Sequence, residues 1–263
     1  MPDRDDTKSP TDTARSLRAL HIVEMLSRST TPPTVAQLAA RLKVPKTTMA
    51  RMLRDMLDEG WLVRLPGHGG FVTGPRARVL GLDTLRSTPL MRDCQAVLRD
   101  LVHQLDETCN LTAVDGNDVV YVARVESSHH LGVHFDHGAR VPMYCTASGK
   151  LFLARMSRPE RQRALANLPL QRHTPKTITD PGQLAKYLDQ PRSKEVGVDN
   201  EEFIRGMVAA AVPVVDDRGV TIAAVACHGP TARISIDSLL ANVHKLQAAA
   251  VAVKSILLGS SGT

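Results

Sequence analysis

The stretch Thr34-Val35-Ala36-Gln37-Leu38-Ala39-Ala40-Arg41-Leu42-Lys43-Val44-Pro45-Lys46-Thr47-Thr48-Met49-Ala50-Arg51-Met52-Leu53-Arg54-Asp55-Met56-Leu57-Asp58-Glu59-Gly60 decides the fold of the first part of the chain. Thr34 and Gln37 stand at capping-box spacing, a hydroxyl at a helix start with an amide three residues on. Val35, Leu38, Ala39 and Leu42 then recur at i, i+3, i+4, i+7, which predicts one buried helix face ending near Lys43. Pro45 suits a first helical turn. Met49, Met52, Leu53, Met56 and Leu57 give the next helix its apolar stripe, and Gly60 stops it. The opposite face carries Thr47, Arg51 and Arg54, with Lys46 and Thr48 at the tip. Trp61–Leu65 and Phe71–Thr73 read as strands around Pro66-Gly67-His68-Gly69-Gly70. Together these elements predict a winged helix-turn-helix.

A helix from Lys46 to Glu59 is about 21 Å long at about 1.5 Å per residue. It is basic and hydroxylic in its first half and acidic at Asp55, Asp58 and Glu59, so only the first half suits a polyanion. A recognition helix needs that polarity, because its leading residues reach base edges in a major groove that admits a helix. Lys46, Thr47, Thr48 and Arg51 are the expected groove contacts, Arg54 and Arg64 the phosphate contacts, and Thr34 a further DNA-binding candidate. The alternative is a helical hairpin packing on another domain.

The 263 residues suffice for two ordinary domains, each with its own core. Apolar runs stay short of about 18 residues, so neither a membrane span nor a secretory signal is expected, and the expected location is the cytoplasm. Cys94, Cys109, Cys145 and Cys227 are scattered and form no Cys-x-x-Cys, which fits buried thiols better than a disulfide frame or zinc knuckle. The net charge of +6 is uneven. Residues 14–86 carry 12 Lys/Arg against 5 Asp/Glu, while residues 87–263 carry 19 against 18. The surplus lies on the helix-turn-helix half, where counterion release would give salt-sensitive affinity for duplex DNA. A solvated basic face without a partner is the competing reading.

Residues 1–13 have nothing to bury and read as a disordered tail. Residues 14–27 form an amphipathic helix with Leu17, Leu20 and Val23 among its apolar positions. Gly74-Pro75 opens a linker helix with Val79, Leu82 and Leu85, so the expected domains are 14–74, a linker 75–88, and 89–259. The second domain starts with a long helix through Leu90, Cys94, Val97, Leu98, Leu101 and Leu105. Hairpins are expected around Asp115-Gly116-Asn117-Asp118 and Asp216-Asp217-Arg218-Gly219, with further strands at 129–135 and 141–146. Helices are expected from Ser148, over 159–168 and over 180–190, and one closing helix runs through Ile236, Leu246 and Leu257. The class is α+β, an antiparallel sheet with flanking helices.

The sequence resembles the IclR family of bacterial transcriptional regulators from about Ala14 to Leu258. The blocks that carry the resemblance are Ser16-Leu17-Arg18-Ala19-Leu20, Pro45-Lys46-Thr47-Thr48 with Arg51, Gly74-Pro75-Arg76, Arg124-Val125-Glu126-Ser127, Arg140-Val141-Pro142, Thr146-Ala147-Ser148-Gly149-Lys150, Thr177-Ile178-Thr179-Asp180 and Gly197-Val198-Asp199-Asn200-Glu201-Glu202 through Pro213. The resemblance implies a dimer or tetramer binding double-stranded operator DNA, and a GAF-like C-terminal domain that takes a small carboxylate effector. It also implies that Thr146, Ala147, Ser148, Gly149, Asp199 and positions 209, 226 and 228 face the effector. Here Ala209 stands where many relatives carry Cys, and Ala226 and His228 where some carry Ser, which leaves a roomier, more apolar pocket suited to an aromatic or longer acid. Ala50 replaces a commonly larger side chain, so base preference does not transfer.

Thr146–Lys150 opens a helix whose N–H groups favour a carboxylate, but it is no P-loop, which needs Gly at 144 and Ser or Thr at 151 where the chain has Tyr144 and Leu151. His228 reads equally well as the carboxylate's partner, gaining charge from it, or as a satisfied core histidine. His129, His130, His134 and His137 cluster near Cys145 without an established zinc spacing, so no metal or other cofactor is expected, a metal-responsive regulator being the alternative. An acid-processing enzyme is the rival class, yet the chain has no Gly-x-Ser-x-Gly elbow, His-Glu-x-x-His helix or dinucleotide glycine pattern, and Ser148 lacks an assignable base. An architectural DNA binder would not need a second domain of this size.

Overall fold

The computed structural model describes residues 15–29, 31–65, 69–85, 88–133, 135 and 138–259. The expected tail 1–13, the wing-tip residues 66–68, and His134 and His137 lie outside them. The chain divides into two compact units, 1–83 and 84–263.

The first unit contains α1 (Arg15–Ser27), α2 (Val35–Arg41), α3 (Lys46–Asp58), β1 (Leu62–Arg64) and β2 (Phe71–Thr73), and the division between units falls inside α4 (Pro75–Leu85). Thr34 and Gln37 make both capping-box bonds at the head of α2. The turn into α3 passes through Lys43 at φ 51°, a left-handed conformation uncommon for a non-glycine residue. Leu38, Ala39, Met49, Leu53 and Met56 close the core with Leu62 and Phe71. Helix α1 joins it through Ile22 and Leu26, backed by Ala19 and Val23, so the core-facing stripe is offset from the expected one and Leu17 and Leu20 are exposed. β1 and β2 pair antiparallel, Leu62 opposite Thr73 and Arg64 opposite Phe71. Phe71 N donates to Pro33 O at 3.1 Å, which ties the hairpin to the start of α2.

The second unit runs α5 (Thr88–Leu105), β3 (Thr108–Asp115), β4 (Asp118–Val125), β5 (Arg140–Pro142), α6 (Ala147–Arg155), α7 (Arg158–Asn167), α8 (Pro181–Leu188), a 3₁₀ turn (Pro191–Lys194), β6 (Gly197–Asn200), β7 (Met207–Val215), β8 (Thr221–Pro230), α9 (Ile236–Ala241) and α10 (Val243–Leu258). The strands form one six-stranded antiparallel sheet in the order β5-β4-β3-β8-β7-β6. Helices α5 and α10 pack together on one side of it, and α6 lies against β6, β7 and β8 on the other. Both expected hairpin turns form, with Gly116 at φ 65° and Gly219 at φ 83°.

Three expectations of secondary structure fail. No strand forms over 129–133, where the Leu131 and Val133 carbonyls accept from the Arg233 and Arg124 guanidiniums instead of a neighbouring strand. The strand begun at Arg140 ends at Pro142, and Met143–Cys145 turn so that Thr146 can cap α6. The closing helix is two helices, because Asn242 ends α9 with its backbone N–H on the Ser238 and Leu239 carbonyls and its Nδ2 on Ser238 O. β6 was absent from the sequence expectation.

Candidate nucleic-acid interface and ligand cavity

In the first unit the buried stripe of α3 fixes which face looks outward. Lys46, Thr47, Arg51 and Arg54 are exposed and Thr48 is half-buried. Pro45 heads the helix without a side-chain cap, so the first-turn N–H groups remain open beside Lys46 and Thr47. At the acidic end Glu59 is held by Arg76 at 2.5 Å, and the Arg76 guanidinium lies 5.0 Å over the Trp61 ring. Arg64 is exposed on β1. Among the described residues Lys46, Arg51, Arg54 and Arg64 have no carboxylate partner, so their charge is available to an external anion.

In the second unit a cavity with about 530 Å³ of space, part of it open to solvent, lies between the sheet and the start of α6. β5 and β6 bring Val141 and Asp199 to it, β7 brings Ala209, β8 brings Ala226 and His228, and β3 brings Asn110 and Thr112. Strand pairing sets Asp199 opposite Ala209 and Ala209 opposite His228, so the three share one row across neighbouring strands. Asp199 and His228 are therefore about 10 Å apart, two strand spacings. A bulge in β4 pairs Leu111 with Ala123 but Thr112 with Tyr121, which spends Val122 as an extra residue and turns Tyr121 to the face that carries Arg124. Tyr121 stacks on Phe135 at 5.3 Å, and Phe135 on Phe203 at 6.3 Å, lining the space with rings.

One end of the cavity is the start of α6. Thr146 accepts from Gly149 N at 3.3 Å and donates to Pro142 O at 2.6 Å. The N–H groups of Ala147 and Ser148 lack intrahelical partners and carry the positive end of the helix dipole. Asp199 stands beside them, its carboxylate accepting from Glu202 N at 2.7 Å and Phe203 N at 3.4 Å. Burial pushes its carboxyl up to about 7, against the pull of those two N–H groups and of Lys150. Behind it lies a buried ion pair of Lys150 and Glu202, with Lys150 Nζ 4.4 Å over the Tyr187 ring. Glu202 Oε2 has no hydrogen-bond partner among the described residues, and burial raises its carboxyl.

At the other end Asn110 Nδ2 lies 3.1 Å from His228 Nδ1, and Arg124 Nη1 donates to Asn110 Oδ1 at 3.0 Å. Burial, reinforced by the Arg124 charge, pushes the imidazole down to about 3. Both oppose a positive charge on the ring.

Two family profiles cover this architecture: the IclR helix-turn-helix domain matches residues 17–66, and the bacterial transcriptional regulator IclR C-terminal domain matches residues 82–255. The chain belongs to the IclR family of bacterial transcriptional regulators. Its relatives include the "Probable transcriptional regulator SauR" of Cupriavidus necator, 40% identical over 90% of this chain and 94% of that protein. Among solved structures, the IclR protein of Thermotoga maritima matches with a TM-score of 0.61 at 25% identity, over 92% of this chain and 98% of that one. The inducer-binding domain of a PobR double mutant from Acinetobacter, crystallised with 3-hydroxybenzoic acid, matches with a TM-score of 0.57 at 30% identity, over 64% of this chain and 98% of that one. The IclR-family chain is thus a regulator with a DNA-binding domain and not an enzyme.

Of the eight effector residues expected from the resemblance, Thr146, Ala147, Ser148, Asp199, Ala209, Ala226 and His228 line the cavity. Gly149 does not. A Cβ there would lie 2.2 Å from Met143 O, so this glycine lets the first turn of α6 sit on the Met143 backbone. Thr34 is also otherwise engaged, accepting from Gln37 N and donating to Gln37 Oε1. Sequence reading missed Asn110, Thr112, Tyr121, Phe135 and Phe203. The available signal was Asn110 and Thr112 themselves, polar residues alternating through an apolar strand. His129 Nε2 is 3.0 Å from Asp106 Oδ2, His130 is exposed, and among the described residues no group of three or more His, Cys, Asp or Glu is placed to hold a metal ion. No helix among them is long and apolar enough to cross a membrane.

Proposed function

We propose that this regulator grips a pseudo-palindromic operator as a dimer, within a larger dimer of dimers, and is switched by a small carboxylate bound in the second unit. Lys46, Thr47, Thr48 and Arg51 enter the major groove, and Arg54 and Arg64 meet phosphates. The DNA-binding domain is 14–74, a linker 75–88 follows, and 89–259 senses the effector. Effector binding biases the placement of the paired DNA-binding domains through the linker, which requires only a modest difference in affinity between two states. The whole acts in the cytoplasm.

The observation that carries the effector reading is the convergence on one cavity of two open N–H groups at a helix start, a carboxyl poised near neutrality, and a stack of rings. The carboxylate docks on Ala147 and Ser148 and shares a proton with Asp199, which an anion at this spot drives further toward its neutral form. The rings, with Ala209 and Ala226 in place of larger polar groups, favour an aromatic or longer acid over a two-carbon one. The 3-hydroxybenzoic acid held by the PobR domain is of that class.

A thermal-shift screen of the full chain against aliphatic and aromatic acids tests this, because a ligand at about 100 times its Kd adds about 2.7 kcal/mol to native-state stability. An acid that raises Tm without being consumed, and that changes retention of an operator fragment, is the expected result. Retardation unchanged by Arg51→Ala would refute the assigned helix face.

A further inference from the structure

The polar end of the cavity opposite α6 is built as a relay. Arg124 is buried and held on three sides: Nε on Glu126 at 3.0 Å, Nη1 on Asn110 Oδ1 at 3.0 Å, and Nη2 on Val133 O. A guanidinium only donates, so the amide atom facing it must be the oxygen, and the Asn110 amide has a single orientation. Its Nδ2 then points at His228 Nδ1, which can only accept. A neutral imidazole with Nδ1 bare carries its proton on Nε2. Nε2 has no protein partner among the described residues, and His228 lines the cavity.

We propose that Arg124 and Asn110 are positioning residues that hold His228 as an uncharged imidazole protonated on Nε2, so that this end of the cavity recognises a neutral oxygen acceptor, a hydroxyl or carbonyl, on the effector. This rests on the cavity being the effector site. The carboxylate is left to the α6 end, about two strand spacings away along the row from Asp199 to His228. The effector class is therefore an acid with a second oxygen function at its far end. The charged groups around the imidazole are Arg124 and Glu126 on the β4 side, with Asp199 across the row on β6. The nearest positive charge belongs to Arg124, which faces His228 through Asn110 and opposes a second positive charge on the ring.

The test is nitrogen NMR of the ligand-free full chain labelled with ¹⁵N-histidine, His228 being assigned by the signals lost in His228→Gln. In the wild-type chain one ring nitrogen of His228 stays protonated and one stays bare across about pH 5.5 to 7.5, with Nε2 carrying the proton. Asn110→Asp replaces the donor at Nδ1 by an acceptor, and the single ring proton then moves from Nε2 to Nδ1. A wild-type His228 that titrates in that range, or carries its proton on Nδ1, overturns the relay without any variant having to fold. So does Asn110→Asp with the wild-type pattern. For the ligand class the probes are 4-formylbenzoate, whose far oxygen can only accept, and benzoate: the formyl acid should bind about tenfold tighter to the wild-type chain, and Asn110→Asp, which leaves Nε2 bare, should erase the advantage. Equal affinity for the two acids overturns the selection. If neither binds, the effector reading of the cavity fails while the protonation of the ring stands as measured.

Discussion

Replacing Asp199 by Asn separates the cost of a buried carboxylate from its use. Asp199 is 5% exposed, and its carboxyl is raised from 3.8 to about 7, chiefly by burial. Between those values the folded chain keeps a proton that the unfolded chain has released, so the group lowers stability as pH rises through the window and levels off above about 8. The displacement corresponds to roughly 4 kcal/mol at about 1.36 kcal/mol per pH unit, of which roughly 2.5 kcal/mol develops between pH 5 and 8. Asn cannot ionise but still accepts from Glu202 N, so Asp199→Asn removes the slope and spares the bond. The assay is urea unfolding of both chains at pH 5 and pH 8. The three tyrosines, Tyr121, Tyr144 and Tyr187, all lie in the second unit and the single Trp61 in the first, so near-ultraviolet circular dichroism of tyrosine and tryptophan fluorescence follow the two units separately. The advantage of the variant in the tyrosine signal should widen by roughly 2.5 kcal/mol from pH 5 to pH 8, while the tryptophan transition does not respond. A difference that stays flat with pH would refute a proton held near neutrality.

Other outcomes follow from the same geometry. Arg54→Ala should weaken binding to all duplexes alike and flatten the salt dependence of a dimer by about two contacts, read from log K against log salt; an unchanged slope would take Arg54 off the phosphates. Lys150→Met should destabilise the second unit by about 3–5 kcal/mol, because it leaves Glu202 buried without its cation; the tyrosine unfolding signal measures it, and a loss under about 1 kcal/mol would show that Glu202 is already neutral. Gly149→Ala should cost at least about 1–3 kcal/mol in the same assay, since the neighbour its Cβ would strike is Met143 backbone, and a neutral result would mean that α6 can lift from Met143.

Legibility from sequence varied with how local the determining forces are. α3 was readable because a periodic stripe, a proline start and a glycine stop all act within one helix, and its outward face follows once Met49, Leu53 and Met56 turn inward. α1 carries two apolar stripes, and only packing into the shared core with α2, α3 and the β1–β2 hairpin chooses Ile22 and Leu26 over Leu17 and Leu20. The segment after β4 lost its expected strand to guanidinium groups from Arg124 and Arg233, the latter more than a hundred residues distant in sequence. The cavity residues expected from resemblance came together except Gly149, whereas Tyr121 depends on a bulge that no alternation pattern reveals. The Arg124–Asn110–His228 chain spans three strands and becomes visible only in their register.

The central proposal is that the first unit binds duplex DNA under control of the second. Fluorescence anisotropy of the full chain on a duplex selected from random sequence, read at about 50 and 200 mM salt with and without an acid that raises Tm, tests it most directly. The expected result is tight binding that falls steeply with salt and shifts when the acid is added. Binding indifferent to salt, or an acid that occupies the cavity and leaves the DNA isotherm unmoved, would contradict it.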